Sequence, residues 1–144
     1  MFNLSPDERL SAWADHRHSL DSSENPLETL IEFWDHPPYV PFNRNVDPYN
    51  QRSWPTPWEI IIENKYDDFT KVLMIAWTLK LTATFKDSKI EIKTYTDAHR
   101  SRQYNLVFID DEFVINYTDN GINTPSDIPE SFQLENLIEV QRPR

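Results

Sequence analysis

One apolar run limits the folds open to this chain more than any other feature of its sequence. Within residues 72–79 only Thr78 is polar, and a helix that is apolar on nearly every side is buried by the rest of the protein. The run is too short, and its flanks are too polar, to span a bilayer. Asp67 or Asp68 is placed to cap the helix, since an Asp accepts hydrogen bonds from the free amides of the first turn. The sequence therefore predicts a central buried helix over 66–81, with the other elements packed around it.

Three further helix starts share one pattern, in which a capping residue is followed by Pro and, two residues later, by Glu. Ser5, Asn25 and Thr56 hold the capping position. The capping side chain and the Glu satisfy free amides of the first turn, and Pro suits the first helical position. The first helix is expected to bury one face, formed by Leu10, Trp13, Ala14 and Arg17. The second carries a stripe at the helical spacing, formed by Leu27, Leu30, Ile31 and Trp34.

After the central helix the hydrophobic period changes to two, which is typical of strands. Residues 90–94 alternate apolar and charged side chains, as a half-buried strand does, while 103–109 are apolar on both faces and predict a central strand. Asp110 and Asp111 form a tight turn, and residues 112–117 return as the second strand of a hairpin.

Two other segments are less clearly patterned. Residues 82–85 are expected to add a short strand, and the pattern of 132–140 fits both a helix and a strand. Helices followed by antiparallel strands predict an α+β fold, with N-terminal helices and a buried central helix packed on a small antiparallel sheet. The length predicts a single domain over 1–144, with a helical part at 1–81 and a sheet part at 82–144.

Charge and composition exclude several classes of function. A formal net charge of -10 argues against a protein that grips nucleic acid through phosphate contacts, which require Lys and Arg. The chain has no Cys, and its single Gly, Gly121, rules out a glycine-rich phosphate loop. No spacing of His and carboxylates matches a metal motif. We therefore expect no cofactor and no metal, and, because the N-terminus does not read as a signal peptide, a soluble protein of the cytoplasm that is not bound to a membrane.

A connection of about twenty residues, 35–55, is rich in Pro and aromatic residues. A loop of this length is either functional or tied down, and Tyr and Trp anchor protein interfaces at low entropic cost. We predict that it forms a binding surface for a protein partner; packing of its aromatic side chains on the body of the domain is the alternative. The candidate residues of the surface are Tyr39, Phe42, Tyr49 and Trp54.

The order of these elements resembles the core of the transglutaminase-like domain, a papain-like fold. In that family a nucleophilic Cys begins the central helix, a His lies on the first strand of a hairpin or just before it, and an Asp follows at the end of a later strand. Here Tyr-Asp-Asp-Phe occupies the helix start at 66–69. By order and spacing the resemblance covers 58–119 and assigns Asp67 to the position of the Cys, His99 to that of the His and Asp119 to that of the Asp.

The resemblance implies the fold but not the activity, because a carboxylate at position 67 cannot form the thioester that such catalysis needs. We therefore expect a protein that is not an enzyme and that keeps Asp67, His99 and Asp119 as relic positions. Two other interpretations stay open. The three residues are an ordinary helix cap, loop residue and turn residue, or the chain is a working transglutaminase-like enzyme.

A second resemblance, over residues 54–66 and the acidic residues and Phe that follow, is to small proteins of tailed phages, particularly those of cyanobacteria. It implies a non-enzymatic viral protein in the host cytoplasm that acts through protein–protein interaction, as a virion or assembly component. The sequence leaves open the identity of the partner, incorporation into the virion and assembly into homo-oligomers.

Overall fold

The computed structural model describes residues 1–144 and confirms the α+β class. Four helices come first, and all strands follow them. The helices are α1 (Pro6–Ser22), α2 (Pro26–Phe33), α3 (Pro57–Glu63) and α4 (Asp68–Lys80). The strands are β1 (Ile90–Asp97), β2 (Arg102–Ile109), β3 (Phe113–Ile115), β4 (Ile122–Asn123) and β5 (Gln133–Glu139). None of the helices has the length and the apolar character that crossing a bilayer requires.

The three predicted helix starts are confirmed, with one difference in how they are capped. Ser5 accepts a hydrogen bond from the amide of Glu8, and Thr56 forms a complete capping box with Glu59. Asn25 precedes α2 but makes no capping bond with its side chain. Pro at the first helical position and the apolar stripe are therefore sufficient for α2, since most helical stability in a protein comes from packing.

The buried face of α1 differs from the prediction. Of the four expected residues only Trp13 is fully buried. The buried face is formed by Arg9, Trp13, His16 and Leu20. Hydropathy missed this face because Arg9 and His16 are polar, and the reasons for their burial lie on other elements.

The central helix α4 organises the core as predicted. Asp67 is its N-cap, and every residue of 72–79 is buried, including Met74, Ile75 and Trp77 at 0%, 2% and 6% exposure. The helix packs on β1 and β2. The apolar run is thus covered by the sheet, and it shares the main core with buried side chains of the other helices, as a helix without a polar face requires.

The five strands form one antiparallel sheet in the order β4-β3-β2-β1-β5. The predicted hairpin is confirmed, since Ile109 pairs with Phe113 across the three residues Asp110, Asp111 and Glu112. The amide of Glu112 donates to the carbonyl of Ile109 at 2.9 Å, so Asp110 and Asp111 are the central residues of the turn. Both have positive φ, 52° and 56°, as in turns that match the twist of the strands.

The strand β2 is central and buried on both faces, as its sequence predicts. Val107 and Ile109 belong to the main core with α4, whereas Leu106 and Phe108 belong to a smaller cluster on the outer face. The outer cluster is closed by aromatic side chains from β1 and from the segment after β3. Those side chains are Tyr95, Tyr117 and Phe132.

The two less clearly patterned segments are now assigned. Residues 82–85 form turns rather than the expected strand, and the hydroxyl of Thr82 donates to the carbonyl of Leu79 at 2.7 Å. The ambiguous segment is the edge strand β5, whose register against β1 shifts between Thr94 and Tyr95. This bulge breaks the period of two, which explains why the pattern also fitted a helix.

Candidate functional site

The first carboxylate at the start of α4 belongs to the scaffold. One oxygen of Asp67, Oδ1, accepts hydrogen bonds from the amide and hydroxyl of Thr70 at 2.8 and 2.6 Å. The other, Oδ2, accepts from the backbone amide of Asn43 at 3.0 Å. Both oxygens therefore have structural partners, one set in the helix and one in the long loop that precedes α3.

The second carboxylate, Asp68, contacts the sheet. Its Oδ2 accepts a hydrogen bond from Nδ2 of Asn105 at 2.9 Å, and its Oδ1 accepts from Nδ2 of Asn116 at 3.2 Å. Asn105 lies on β2 and Asn116 directly follows β3. Asn116 has φ 78°, a left-handed conformation that Asn tolerates better than most residues. The helix start and the hairpin β2–β3 thus converge on one carboxylate.

We call Asp68, Thr94, Asn105 and Asn116 the Asp68 cluster, because hydrogen bonds connect all four. Thr94 donates from its hydroxyl to Oδ1 of Asn105 at 2.8 Å, and Asn116 also donates to the backbone carbonyl of Asn105 at 2.9 Å. Thr94 and Asn105 are buried. A carboxamide does not ionise near neutral pH, so neither Asn is able to act as a general base.

A cleft runs along the exposed side of this cluster. One cavity of about 260 Å³ is lined by Asn116 and Asp119, and a second of about 280 Å³ is lined by Tyr39, Asp67 and Asp68. Both cavities are bordered by the same three side chains, Asp35, His36 and Lys71. Of the sequence-predicted relic positions, Asp67 and Asp119 therefore lie on the walls of one cleft.

The third relic position, His99, lies elsewhere. It belongs to the turn between β1 and β2, where its amide donates to Oδ1 of Asp97 at 3.1 Å. Thr94, in the Asp68 cluster, is three residues before Asp97, which is about 10 Å along a strand, and His99 lies beyond that. Asn105, not His99, is the residue of this part of the chain that contacts the start of α4.

Three of the four candidate binding residues are strongly exposed. Tyr39, Phe42 and Tyr49 are 72%, 73% and 71% exposed. Trp54 corrects the prediction, because it is 6% exposed and packs against Phe69 and Trp77 in the core. Its indole is held inside because Nε1 donates to the carbonyl of Asp47. We call residues 37–50 the aromatic loop.

Fixed contacts hold the aromatic loop on the body of the domain. The amide of Val40 donates to the carbonyl of Tyr66 at 2.9 Å, and the amide of Tyr66 donates to Pro38 at 3.0 Å. Nδ2 of Asn43 donates to the carbonyl of Lys65 at 3.2 Å, and Val46 is 1% exposed. The loop is therefore tied down by its backbone and small side chains while its aromatic rings face solvent.

No group of three or more His, Asp or Glu side chains is arranged to hold a metal ion. Comparison with protein-family models gives no match, and no curated protein matches the sequence. Among solved structures, calcium-bound LapG of Legionella pneumophila superposes with a TM-score of 0.71 at 16% sequence identity, over 95% of this chain and 77% of LapG.

The chain shares the fold of LapG. That fold is transglutaminase-like, so the sequence resemblance to this fold is supported by the structure. At 16% identity the likeness concerns the fold alone. The calcium ion belongs to the LapG structure.

Sequence reasoning missed Asn105 and Asn116. The available signal for Asn105 was its place as the one polar residue in the run 104–109 of a central strand. A buried polar side chain needs a hydrogen-bond partner, so its presence there indicates a polar site. Nothing in the sequence identifies that partner as Asp68.

Proposed function

We propose that this chain is a non-catalytic protein with a transglutaminase-like fold that acts by binding another protein. The observation that carries the proposal is the Asp68 cluster. By place in the fold, Asp68 begins the central helix, Asn105 lies on the first strand of a hairpin, and Asn116 directly follows the next strand. These are the places where the family pattern has its Cys, His and Asp.

Each replacement removes a step that cysteine catalysis requires. A carboxylate at Asp68 is a weak nucleophile and forms no thioester, and the amide of Asn105 accepts no proton from an attacking group. Asn116 is neutral and would not stabilise a neighbouring imidazolium as an Asp does. The hydrogen bonds among these groups stabilise the helix–sheet junction, which is a structural role for a former catalytic arrangement.

Binding is supported by the aromatic loop. Three aromatic side chains above 70% exposure on one anchored loop present a large apolar area to solvent, and aromatic residues are enriched among the anchors of protein interfaces. Because the loop is already fixed, little conformational entropy would be lost when a partner binds.

Hydrolysis assays test the non-catalytic part of the proposal. The full chain should turn over neither p-nitrophenyl esters nor fluorogenic peptide amides. In a second arm, the variant Asp68→Cys/Asn105→His/Asn116→Asp should be alkylated by iodoacetamide faster at pH 7 than Asp68→Cys alone, because a paired imidazole favours the thiolate. Turnover by the native chain that disappears in Asp68→Ala would contradict the proposal.

Partner recovery tests the binding part. The protein partner recovered with the full chain from its native cells should be absent when Tyr39, Phe42 and Tyr49 are replaced by Ser. The matched control replaces Leu4 and Ile62, which are 40% and 49% exposed and lie outside the aromatic loop. Equal loss of the partner in both variants would show that the loop is not the interface.

The phage resemblance gives the finer part of the proposal, a role in a virion or its assembly in the host cytoplasm. It stays a prediction from residues 54–66. Identification of the chain in purified virions by mass spectrometry would test it.

A further inference from the structure

Arginine side chains gather beside the aromatic loop. A concavity of about 630 Å³ is lined by Arg44, Arg52 and Arg144, and an adjoining one of about 170 Å³ is lined by Arg142 and Arg144. The whole chain has only 14 Lys and Arg against 24 Asp and Glu. Four of the cations therefore share one surface of a strongly acidic protein, and we call these residues the arginine cluster.

None of the four guanidinium groups forms an ion pair. The ion pairs of the structure involve His36, Lys89 and Arg100. Arg144 donates one hydrogen bond, from Nη2 to the carbonyl of Trp54 at 2.7 Å. A guanidinium carries five N–H donors, so the cluster retains many donors that only solvent satisfies.

Two carboxylates lie in the same concavity, and both are engaged locally. Oε1 of Glu59 accepts from the amide and hydroxyl of Thr56 at 3.0 and 2.9 Å in the capping box. Both oxygens of Glu63 accept from Nδ2 of Asn45, at 3.3 and 3.2 Å. The pKa of Glu59 is lowered, first by the bonds from Thr56 and to a smaller extent by the charge of Arg144. Four guanidinium groups against two carboxylates leave the surface locally positive.

We propose that the arginine cluster binds an acidic segment of the partner protein. This inference rests on the proposed binding function and gives the chemistry of the partner. Arg recognises carboxylates through paired N–H donors. Arg44 lies in the aromatic loop, two residues after Phe42, and Arg52 follows the loop, three residues after Tyr49, so this part of the chain presents aromatic and cationic groups together. The rest of the acidic surface repels an acidic segment and directs it to this site.

Fluorescence anisotropy with a fluorescein-labelled octa-glutamate peptide tests the inference on the full chain. The native chain should bind the peptide at low ionic strength, and binding should weaken as salt is added. Arg44→Gln/Arg52→Gln should raise the dissociation constant of the peptide at least about tenfold, because the loss of one hydrogen bond to a charged group is enough to change affinity by that factor. The control, Lys86→Gln/Arg100→Gln, changes the net charge equally at exposed positions outside the concavity and should bind like the native chain.

Two outcomes would overturn the inference. They are absence of octa-glutamate binding at low ionic strength and equal weakening in the control variant. Its failure is distinguishable from failure of the proposed function. If the aromatic-loop variant loses the protein partner while octa-glutamate does not bind, the loop is an interface and the partner is not acidic at this site.

Discussion

Arg9 illustrates how a charged residue is held in the interior of this protein. It is 8% exposed, and no carboxylate pairs with it. Its Nε and Nη2 donate to the carbonyls of Ile61 and Ile62 at 3.0 and 2.8 Å. These carbonyls belong to the last turn of α3, where free acceptors and the negative end of the helix dipole favour a cation. Arg9 therefore joins α1 to α3, which explains a buried position that hydropathy does not predict.

His16 is a buried titratable group whose ring nitrogen, unlike the guanidinium of Arg9, has no hydrogen-bond partner at Nε2. Its ring is stacked on Phe33 with centroids 3.8 Å apart. Burial, together with the charge of Arg17, lowers the pKa of His16 to about 4. The folded protein thus keeps this imidazole neutral at pH values where the unfolded chain protonates it.

The free energy of unfolding should therefore fall between pH 7 and pH 5. Below about pH 6.5 the unfolded chain binds a proton that the folded protein takes up only near pH 4, so acid favours unfolding by about 2 kcal/mol over this range. Urea unfolding at both pH values measures the difference. His16→Gln should remove most of it, whereas His18→Gln, at an exposed position of the same helix, should keep it. The same pH dependence in His16→Gln would assign it to other groups.

At the scale of the elements, α4 is the helix on which the other parts of the domain pack. Its side chains contact both the sheet and the aromatic residues that anchor the long loop. Trp77 packs edge-to-face against Trp54, with centroids 5.9 Å apart, and Thr78 accepts a hydrogen bond from the indole of Trp13 at 3.0 Å. The helix thus contacts the loop, α1 and the sheet.

Trp77→Ala should lower the free energy of unfolding by ~3–5 kcal/mol, the range for deletion of a large buried aromatic side chain. Chemical denaturation followed by circular dichroism measures it. Ile62→Ala is the control, because Ile62 is 49% exposed and its truncation should cost much less. A loss below about 1 kcal/mol for Trp77→Ala would contradict the central position of α4.

In the turn of the β2–β3 hairpin, by contrast, a substitution should stabilise the protein. Asp111 has φ 56°, a conformation that favours Gly, and Asp-Gly is a preferred pair for such turns. Asp111→Gly should raise the free energy of unfolding by about 0.5–1 kcal/mol, since the exposed pair of Asp111 with Lys89 contributes little. The control, Asp111→Ala, keeps the positive φ and removes the same ion pair, so it should lower the free energy of unfolding. If Ala stabilises the protein instead, relief of backbone strain is not the cause of the stabilisation by Gly.

On the scale of the whole molecule, Asp67 and Asp68 connect the start of α4 to two different regions, the aromatic loop and the sheet. Asp67 joins α4 to the aromatic loop through Asn43, and Asp68 joins α4 to the sheet through Asn105. Two adjacent carboxylates at one helix start thus connect all three regions. The same arrangement sets the geometry of the cleft between them.

Asp67→Ala should release the aromatic loop while the sheet stays intact. It removes a helix cap worth about 1 kcal/mol and leaves the amide of Asn43 without its acceptor. In hydrogen exchange, the amide of Asn43 should lose protection in Asp67→Ala and keep it in Asp68→Ala, the matched control. Loss of protection in both variants, or in neither, would show that Asp67 does not hold the loop.

Interactions between residues that are close together in the chain were predictable from the sequence, whereas interactions between distant residues were not. The caps at Ser5 and Thr56 connect residues three apart, and the hairpin turn at Asp110 connects neighbouring strands, so local sequence was enough to predict them. The exposure of Tyr39, Phe42 and Tyr49 against the burial of Trp54 was not local, because it depends on which rings reach Phe69 and Trp77.

The sequence by itself determined the class of the fold, the helix starts, the central buried helix and the absence of a Cys nucleophile. Only the tertiary structure decided that Asp68, rather than Asp67, meets the sheet, and that its partners are Asn105 and Asn116, 37 and 48 residues away. The physical reason is that hydrophobic period and capping act within a few residues. Which polar side chains meet across the core is set by strand register and by the way α4 lies on the sheet.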